Sequence, residues 1–208
     1  MVFETWLLFL LVSIIPVVSP GPGVLLAITN SLRYGVKATI LVCLVNGGGI
    51  AVLGLLVGFG LGALMQASAL AFLVLKTIGA GYLIWLGIKI WRDRNAFVVE
   101  VGNSGQAAPM RRLTLQALAI SLTNPKAMMA AAALFPPFLN ANEPAALQVV
   151  ILSFSYGALC ALNHVLIAFC GSWLRRFLQS PRRIKWVRRL TGGAFVGFGS
   201  LLAVTSRA

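Results

Sequence analysis

Long apolar runs separated by short polar segments dominate the chain. The runs cover residues 5–28, 38–63, 69–91, 113–137, 146–171 and 189–206. Each run approaches or exceeds the about 20 apolar residues that a helix needs to cross a bilayer. The pattern therefore predicts an all-α membrane protein with six transmembrane helices.

The polar segments between these runs are short, except for one near the middle of the chain. This segment, at about residues 92–112, contains Asp93, Glu100 and the run Gly102-Asn103-Ser104-Gly105, which is typical of a flexible loop. So little chain remains outside the spans that a separate water-soluble domain has no room. We therefore predict one transmembrane domain over residues 1–208.

Two pairs of segments recur at corresponding places in the two halves of the chain. They are Ser19-Pro20-Gly21-Pro22 with Asn124-Pro125-Lys126, and Lys76-Thr77-Ile78-Gly79-Ala80-Gly81-Tyr82 with Arg189-Leu190-Thr191-Gly192-Gly193-Ala194-Phe195. Each half, about residues 1–95 and 106–208, contains three spans, and an odd number makes the halves cross the membrane in opposite senses. The sequence thus predicts two inverted three-helix repeats.

Both proline motifs fall inside predicted spans, the first and the fourth. Ser or Asn before Pro is typical of a helix start, since the side chain caps free N–H groups and proline at the first position loses no needed bond. We therefore predict that both spans are broken at mid-membrane, each with a half-helix start that suits an anionic group such as a carboxylate. The alternative is that these prolines only kink two packed helices.

The basic residues of the chain fall almost entirely on alternate loops. They are Arg33, Lys37, Lys89, Arg92, Arg94, Arg111, Arg112 and the basic residues between 175 and 189. Because cytoplasmic loops carry the excess of Lys and Arg, the loop at about 92–112 is predicted to be cytoplasmic and both termini periplasmic. The net charge of +13 then faces anionic lipids, and we expect no nucleic-acid partner.

The overall composition excludes an ordinary soluble domain. Hydrophobic residues make up 59% of the chain and charged residues 10%, whereas soluble domains carry about 25% charged residues. Cys43, Cys160 and Cys170 lie in apolar stretches and form no CxxC pair. We therefore expect no disulfide framework, no metal site and no cofactor.

The predicted substrate-binding site combines the two broken segments. Its residues are Ser19, Pro20, Gly21, Pro22, Gly23, Thr123, Asn124, Pro125 and Lys126. Lys126 lies inside the fourth span, where a charge costs about 2.5–3.5 kcal/mol, so it needs an anionic partner. A substrate carboxylate is one candidate, and the alternative is that Lys126 snorkels to the membrane interface.

Other polar residues inside the spans are candidates for a pathway or a proton relay. Asn46, Tyr156 and His164 are the main ones, and Ser153 and Ser155 lie nearby on the fifth span. His164 could relay protons, or it could bond the backbone of a neighbouring helix. The others could line a polar path or serve as hydrogen-bonded contacts between helices.

Two rows of glycines allow close helix packing, either within the monomer or between protomers. They are Gly54, Gly58 and Gly62 in the second span, and Gly193 with Gly197 in the sixth. The sequence does not decide between the two kinds of contact, so a homo-oligomer stays open.

The chain resembles the lysine exporter (LysE/RhtB) family of amino-acid translocators. The resemblance is carried by Ser19-Pro20-Gly21-Pro22, Asn30-Ser31-Leu32-Arg33-Tyr34-Gly35, Gly79-Ala80-Gly81-Tyr82-Leu83, Leu86-Gly87, Thr123-Asn124-Pro125-Lys126 and Arg189-Leu190-Thr191-Gly192. It implies a bacterial inner-membrane exporter of amino acids or their analogues, driven by an ion gradient. Many members have Asp or Asn where this chain has Gly23, so a carboxylate that could bind a substrate ammonium or carry a proton is missing.

We therefore expect a secondary transporter that exports amino acids or related metabolites by alternating access, with H⁺ as the coupling ion. One alternative is a membrane-embedded enzyme, but HExxH, GxSxG and CxxC are absent and Ser121 is badly spaced to pair with Lys126 on one helical face. The other is a channel or structural subunit, and the lack of acidic rings argues against a cation channel.

Overall fold

Helices account for nearly all of the residues that the structure describes. The computed structural model describes residues 1–67, 69–92, 109–140, 142–171, 173 and 180–204. Its helices are α1 (Phe3–Val18), α2 (Pro22–Tyr34), α3 (Val36–Ala67), α4 (Ala69–Arg92), α5 (Met110–Leu122), α6 (Pro125–Phe138), α7 (Ala145–Phe169) and α8 (Pro181–Val204). These ranges contain no β-strand, which confirms the predicted all-α class. Most of the loop predicted at about 92–112 lies outside the described residues.

Two of the described helices are long and apolar enough to cross a membrane unaided. They are α3, over Val36–Gly60, and α7, over Ala145–Phe169. Two bent helix pairs would add two further spans if each pair crosses the membrane once: α1 meets α2 at 62°, and α5 meets α6 at 48°. Helices α4 and α8 lie at the third and sixth predicted spans, and the full set of six crossings stays a prediction.

Two helix pairs, α3 with α7 and α4 with α8, share the largest interfaces, and glycines allow both to pack closely. A Cβ atom built on Gly47 would lie 2.7 Å from the carbonyl oxygen of Gly157, and one built on Gly157 would lie 2.6 Å from that of Gly47. Gly87 and Gly192 show the same reciprocal contact, at 2.6 Å in each direction. A side chain at any of these four positions would collide with backbone, so glycine makes the packing possible.

The predicted glycine row on α3 contacts α7 of the same chain. Gly54 lies against Ser153, and Gly58 lies against Val149. Moving from Gly54 to Gly58 along α3, the contacted residue on α7 moves back from Ser153 to Val149, so the two helices run antiparallel. These two glycines therefore serve packing within the monomer.

The second glycine row faces away from the rest of the described chain. Neither Gly193 nor Gly197 has another atom within 4 Å of a built Cβ, once the helix's own neighbouring backbone is set aside. The surroundings of Gly62 lie outside the described part of the structure. This face of α8 is open to lipid or to a second protomer, and the homo-oligomer stays a prediction.

Helix α8 begins earlier than the sequence pattern predicts. The apolar run begins at residue 189 and the preceding basic residues were expected to form a loop, but the helix starts at Pro181. Proline is favoured at the first helical position, and Lys and Arg are good helix formers. The loop prediction is therefore wrong for residues 181–188, because hydropathy marks where lipid contact ends and a helix can continue beyond that point.

An ion pair and a set of basic helix ends lie at opposite ends of the molecule. At one end, the N-terminal ammonium of Met1 bonds to the carboxylate of Glu143, which holds the pKa of Glu143 below its usual value. At the other end, Leu32 of α2 packs in the same apolar cluster as Ile184 of α8. This second cluster brings together the helix ends that carry Arg33 and the basic first turns of α8.

Candidate substrate-binding site

The first break is caused by Pro20, and Ser19 completes the end of α1. The carbonyl of Pro16 would normally accept a bond from the N–H of residue 20, but proline has none. The hydroxyl of Ser19 donates to that carbonyl instead, at 3.0 Å. The prediction that Ser19 caps the following helix is therefore wrong, since Gly21 is the residue before α2 and Pro22 is its first residue.

The second break follows the predicted pattern. Asn124 precedes α6, and its side-chain oxygen accepts bonds from the backbone N–H groups of Lys126 at 3.1 Å and Ala127 at 3.4 Å. Pro125 takes the first helical position, where its missing N–H loses no bond. The predicted capped start of a half-helix is confirmed here.

The two half-helix starts therefore differ in what they offer to a ligand. At α6 the side chain of Asn124 already occupies two N–H groups. At α2 no side chain among the described residues caps the helix, so the N–H groups of Gly23 and Val24 are not engaged by a cap. The positive end of the helix dipole, with such N–H groups, favours an anion.

Lys126 crosses from the second break to the first. Its ammonium donates to the carbonyl oxygen of Ser19, and its Cδ atom lies 3.1 Å from a Cβ built on Gly21. The same ammonium lies 5.9 Å from the ring centroid of Phe195. The structure thus directs Lys126 inward, against the carbonyl end of α1 where the helix dipole favours a cation, and not outward along a snorkelling path.

A small cavity lies where the two breaks meet. It is lined by Pro16, Val17, Gly21, Gly23, Val24, Ile50, Asn124, Lys126, Ala127, Tyr156, Cys160 and His164. Its volume of about 20 Å³ is enough for about one water molecule. An amino acid is several times larger, so the cavity is too small to hold one in this conformation.

The cavity includes six of the residues that the sequence nominated. They are Gly21, Gly23, Asn124, Lys126, Tyr156 and His164. Ser19 adjoins it through its carbonyl, whereas Pro22 and Pro125 begin the half-helices and Pro20 ends α1. Thr123 lies on the exposed side of its helix end and donates its hydroxyl to the carbonyl of Ala119 at 2.7 Å.

The remaining lining residues were not predicted. Tyr156, Cys160 and His164 are spaced by four along α7 and share one helical face, so this spacing could have revealed Cys160. The other missed residues are apolar and carry no local signal in the sequence.

Two polar side chains outside the cavity lining also connect helices. Asn46 of α3 donates its side-chain N–H to the carbonyl of Ala117 on α5 at 3.0 Å, and Ser155 accepts from the indole of Trp6 at 3.0 Å. These bonds confirm the interhelical role for both residues. His164 is buried beside Gly23, and within the described chain its Nδ1 atom has no hydrogen-bond partner.

The donor set of the site suits an organic ion better than a metal. Over the described ranges, no group of three or more His, Cys, Asp or Glu side chains is placed to share a metal ion. The site offers one ammonium, free backbone N–H groups, an imidazole and a phenol. An ammonium and backbone N–H groups form charge-assisted hydrogen bonds with carboxylates.

These features define a multi-pass helical membrane protein whose two bent helix pairs meet at a buried polar site. Residues 14–206 match the family described as LysE type translocator, and the chain belongs to that family. It is 35% identical over 205 residues to a homoserine/homoserine lactone efflux protein of Salmonella typhimurium, covering 98% of each chain. It is also 30% identical over 194 residues to a leucine efflux protein of Enterobacter, covering 90% of this chain and 89% of that one.

A third relative is an uncharacterized membrane protein of Vibrio cholerae, 35% identical over 202 residues, with 96% and 97% of the two chains covered. No solved structure is similar enough to the chain to count as a match. The family resemblance carried by the two proline motifs is therefore confirmed, and membership of a translocator family points away from an enzyme.

Proposed function

We propose that the protein exports amino acids or closely related small metabolites across the bacterial inner membrane as a secondary transporter. Relatives that match nearly the whole chain are named for efflux of homoserine, homoserine lactone and leucine. Homoserine and leucine are small zwitterions of the kind that the cavity's groups can bind. The named relatives and the polar cavity thus support the same class of substrate.

The observation that carries this proposal is the position of Lys126 between the two breaks. Its ammonium lies at the Ser19 carbonyl, next to the uncapped start of α2. A carboxylate placed there would accept bonds from the ammonium and from the N–H of Gly23. The substrate carboxylate would thus exchange with the Ser19 carbonyl as the partner of Lys126.

We propose that the site opens to the two sides in turn as two inverted repeats move against each other, with H⁺ as the coupling ion and His164 as a candidate relay.

The inverted repeat can be compared with the contacts between α4 and α8. When the two halves are aligned so that residue 76 matches residue 189, Gly87 corresponds to Ser200 and Gly192 corresponds to Gly79. Under that symmetry the contact between Gly87 and Gly192 requires a second contact near residues 79 and 200. A Cβ built on Gly199 lies 2.8 Å from the carbonyl oxygen of Ala80, which agrees with the symmetry and also follows from the antiparallel packing of α4 on α8 alone.

The end of the molecule that carries Arg33 and the basic first turns of α8 is called the basic end. The predicted orientation places it in the cytoplasm, against anionic lipids. A groove of about 630 Å³ between α4 and α8 supports this placement. It is lined by Ile88, Trp91, Arg92, Lys185, Arg188 and Arg189. Basic clusters with tryptophan are typical of the headgroup region of the cytoplasmic leaflet.

Labelling of Cys170 tests this orientation. Cys170 is exposed at the end of α7, and its neighbour Gly171 lies against Ser31 near the basic end, whereas Cys43 and Cys160 are buried. We expect a membrane-impermeant maleimide to label Cys170 in inverted membrane vesicles and not from the outside of intact cells, with Cys170→Ser as the control. Labelling from outside would show that the predicted orientation is reversed.

Export itself is tested by comparing metabolites outside bacterial cells that lack or express the protein, with homoserine, homoserine lactone and leucine measured first. We expect at least one amino acid or analogue to accumulate outside only when the protein is present. Asn124→Ala should reduce this export, since loss of the cap costs about 0.5–2 kcal/mol at the start of α6. An unchanged set of external metabolites would contradict the proposed function, and flux that does not saturate would favour a channel.

A further inference from the structure

The space above Gly23 is filled by two polar side chains from other helices. A Cβ built on Gly23 would lie 2.6 Å from Cε1 and 2.9 Å from Nε2 of His164, and 3.1 Å from Oδ1 of Asn46. His164 comes from α7 and Asn46 from α3. Glycine at position 23 thus lets two helices bring polar atoms to the start of α2.

The orientation of Asn46 follows from its hydrogen bond. The carbonyl of Ala117 can only accept a bond, so the side-chain nitrogen of Asn46 must face it, as the 3.0 Å contact shows. The oxygen of Asn46 is therefore directed to the other side, toward Gly23.

Both side chains carry a buried polar atom without a partner. Asn46 is 1% exposed and His164 is 5% exposed. Among the described residues, neither Oδ1 of Asn46 nor Nδ1 of His164 has a hydrogen bond. Leaving buried polar atoms unpaired is costly. The unpaired oxygen of Asn46 lies at Gly23 itself, and the ring of His164 presents Cε1 and Nε2 at the same place, which indicates a site for a polar ligand.

We propose that Asn46 and His164 form an amine subsite that receives the α-ammonium group of the bound substrate. The inference rests on the proposed function and specifies which part of the substrate each group binds. The oxygen of Asn46 and a ring nitrogen of neutral His164 accept hydrogen bonds from the ammonium. Lys126 repels the ammonium and attracts the carboxylate, so the zwitterion is oriented along the start of α2.

The amine subsite requires no carboxylate side chain at position 23. Glu4 and Glu143, the carboxylates within the described residues, both lie outside the cavity lining. An amine whose carboxyl group is masked, as in a lactone, keeps the group that this subsite recognises. The subsite is therefore compatible with both zwitterions and amines that lack a free carboxylate.

The test measures binding by the thermal unfolding of the purified full-length protein in detergent. Leucine and homoserine are each compared with the 2-hydroxy acid that has the same carbon skeleton and carboxylate but no amine. For the wild type we expect at least one amino acid to bind about tenfold more tightly than its hydroxy acid, since a charged hydrogen bond is worth about that factor. His164→Leu and Asn46→Leu should each remove most of this preference, and His164→Gln should retain part of it.

Ser153→Ala is the matched control, because Ser153 lies on the same helix as His164 with a buried, unpartnered hydroxyl that faces Gly54 and not Gly23. Equal binding of amino acid and hydroxy acid by the wild type would overturn the amine subsite. This comparison uses the wild-type protein alone and does not depend on whether a variant folds. A preference that survives in both leucine variants would overturn the subsite alone. If neither amino acid nor either hydroxy acid stabilises the wild type, the proposed function fails as well.

Discussion

Lys126→Met should reduce export about 10- to 100-fold without lowering the thermal stability of the protein. The fold change corresponds to loss of a hydrogen bond to a charged group, worth about 1.5–3 kcal/mol. Stability is expected to hold because methionine fills similar space and removes a charge that is costly to bury. Transport into inverted vesicles and the unfolding temperature of the purified protein measure the two effects separately.

Lys37→Met is the matched control for this prediction. Lys37 is exposed near the start of α3, away from the cavity, and its replacement should leave export unchanged. Full export by Lys126→Met would mean that the inward-facing ammonium plays no part in binding, and the proposed carboxylate position would then be wrong. A fall in stability equal to the fall in export would instead indicate a structural role.

Gly47→Val should lower the unfolding temperature by roughly 10 °C or prevent assembly. The new Cβ would lie 2.5 Å from the Cβ of Ala161 and 2.7 Å from the carbonyl oxygen of Gly157, so α3 and α7 would have to separate. Overpacking costs about 1–3 kcal/mol and more where backbone cannot yield, and each kcal/mol shifts the midpoint by about 2–4 °C at this chain length.

The adjacent Gly48 offers a matched control, because it lies on the same helix but faces away from α7. A Cβ built there meets no atom within 4 Å once the helix's own neighbouring backbone is set aside, so Gly48→Val should change stability by less than about 0.5 kcal/mol. If both valine variants were equally stable, the close contact between α3 and α7 would not be what holds the pair together. If both were equally damaged, the effect would come from the helix backbone instead.

Hydropathy predicted the position of most helices because it reports directly on contact with lipid. The run at 69–91 corresponds to Ala69–Arg92, and the run at 146–171 corresponds to Ala145–Phe169. Proline located both breaks, since a residue without an N–H interrupts the hydrogen bonds of any helix. The start of α8 was missed because charges end an apolar run without ending a helix.

The contacts that build the site could be predicted only in part. The cap at Asn124 depends on residues two and three positions away, so a local motif is enough to predict it. The Ser19 motif contains two prolines, and only the backbone path shows that Pro22 begins the helix. Lys126 and Ser19 are 107 positions apart, a separation for which no local pattern exists.

The antiparallel pairing of α4 with α8 has a consequence for biosynthesis. Helix α4 packs mainly on α8, yet Gly192 is made roughly 100 residues after Gly87, which takes about 5–20 s at usual rates of translation. During that interval the glycine face of α4 has only lipid, the translocation machinery or earlier helices to cover it. Assembly of this pair therefore depends on α8, and a ribosome that stalls after α7 would leave the glycine face of α4 without its partner helix.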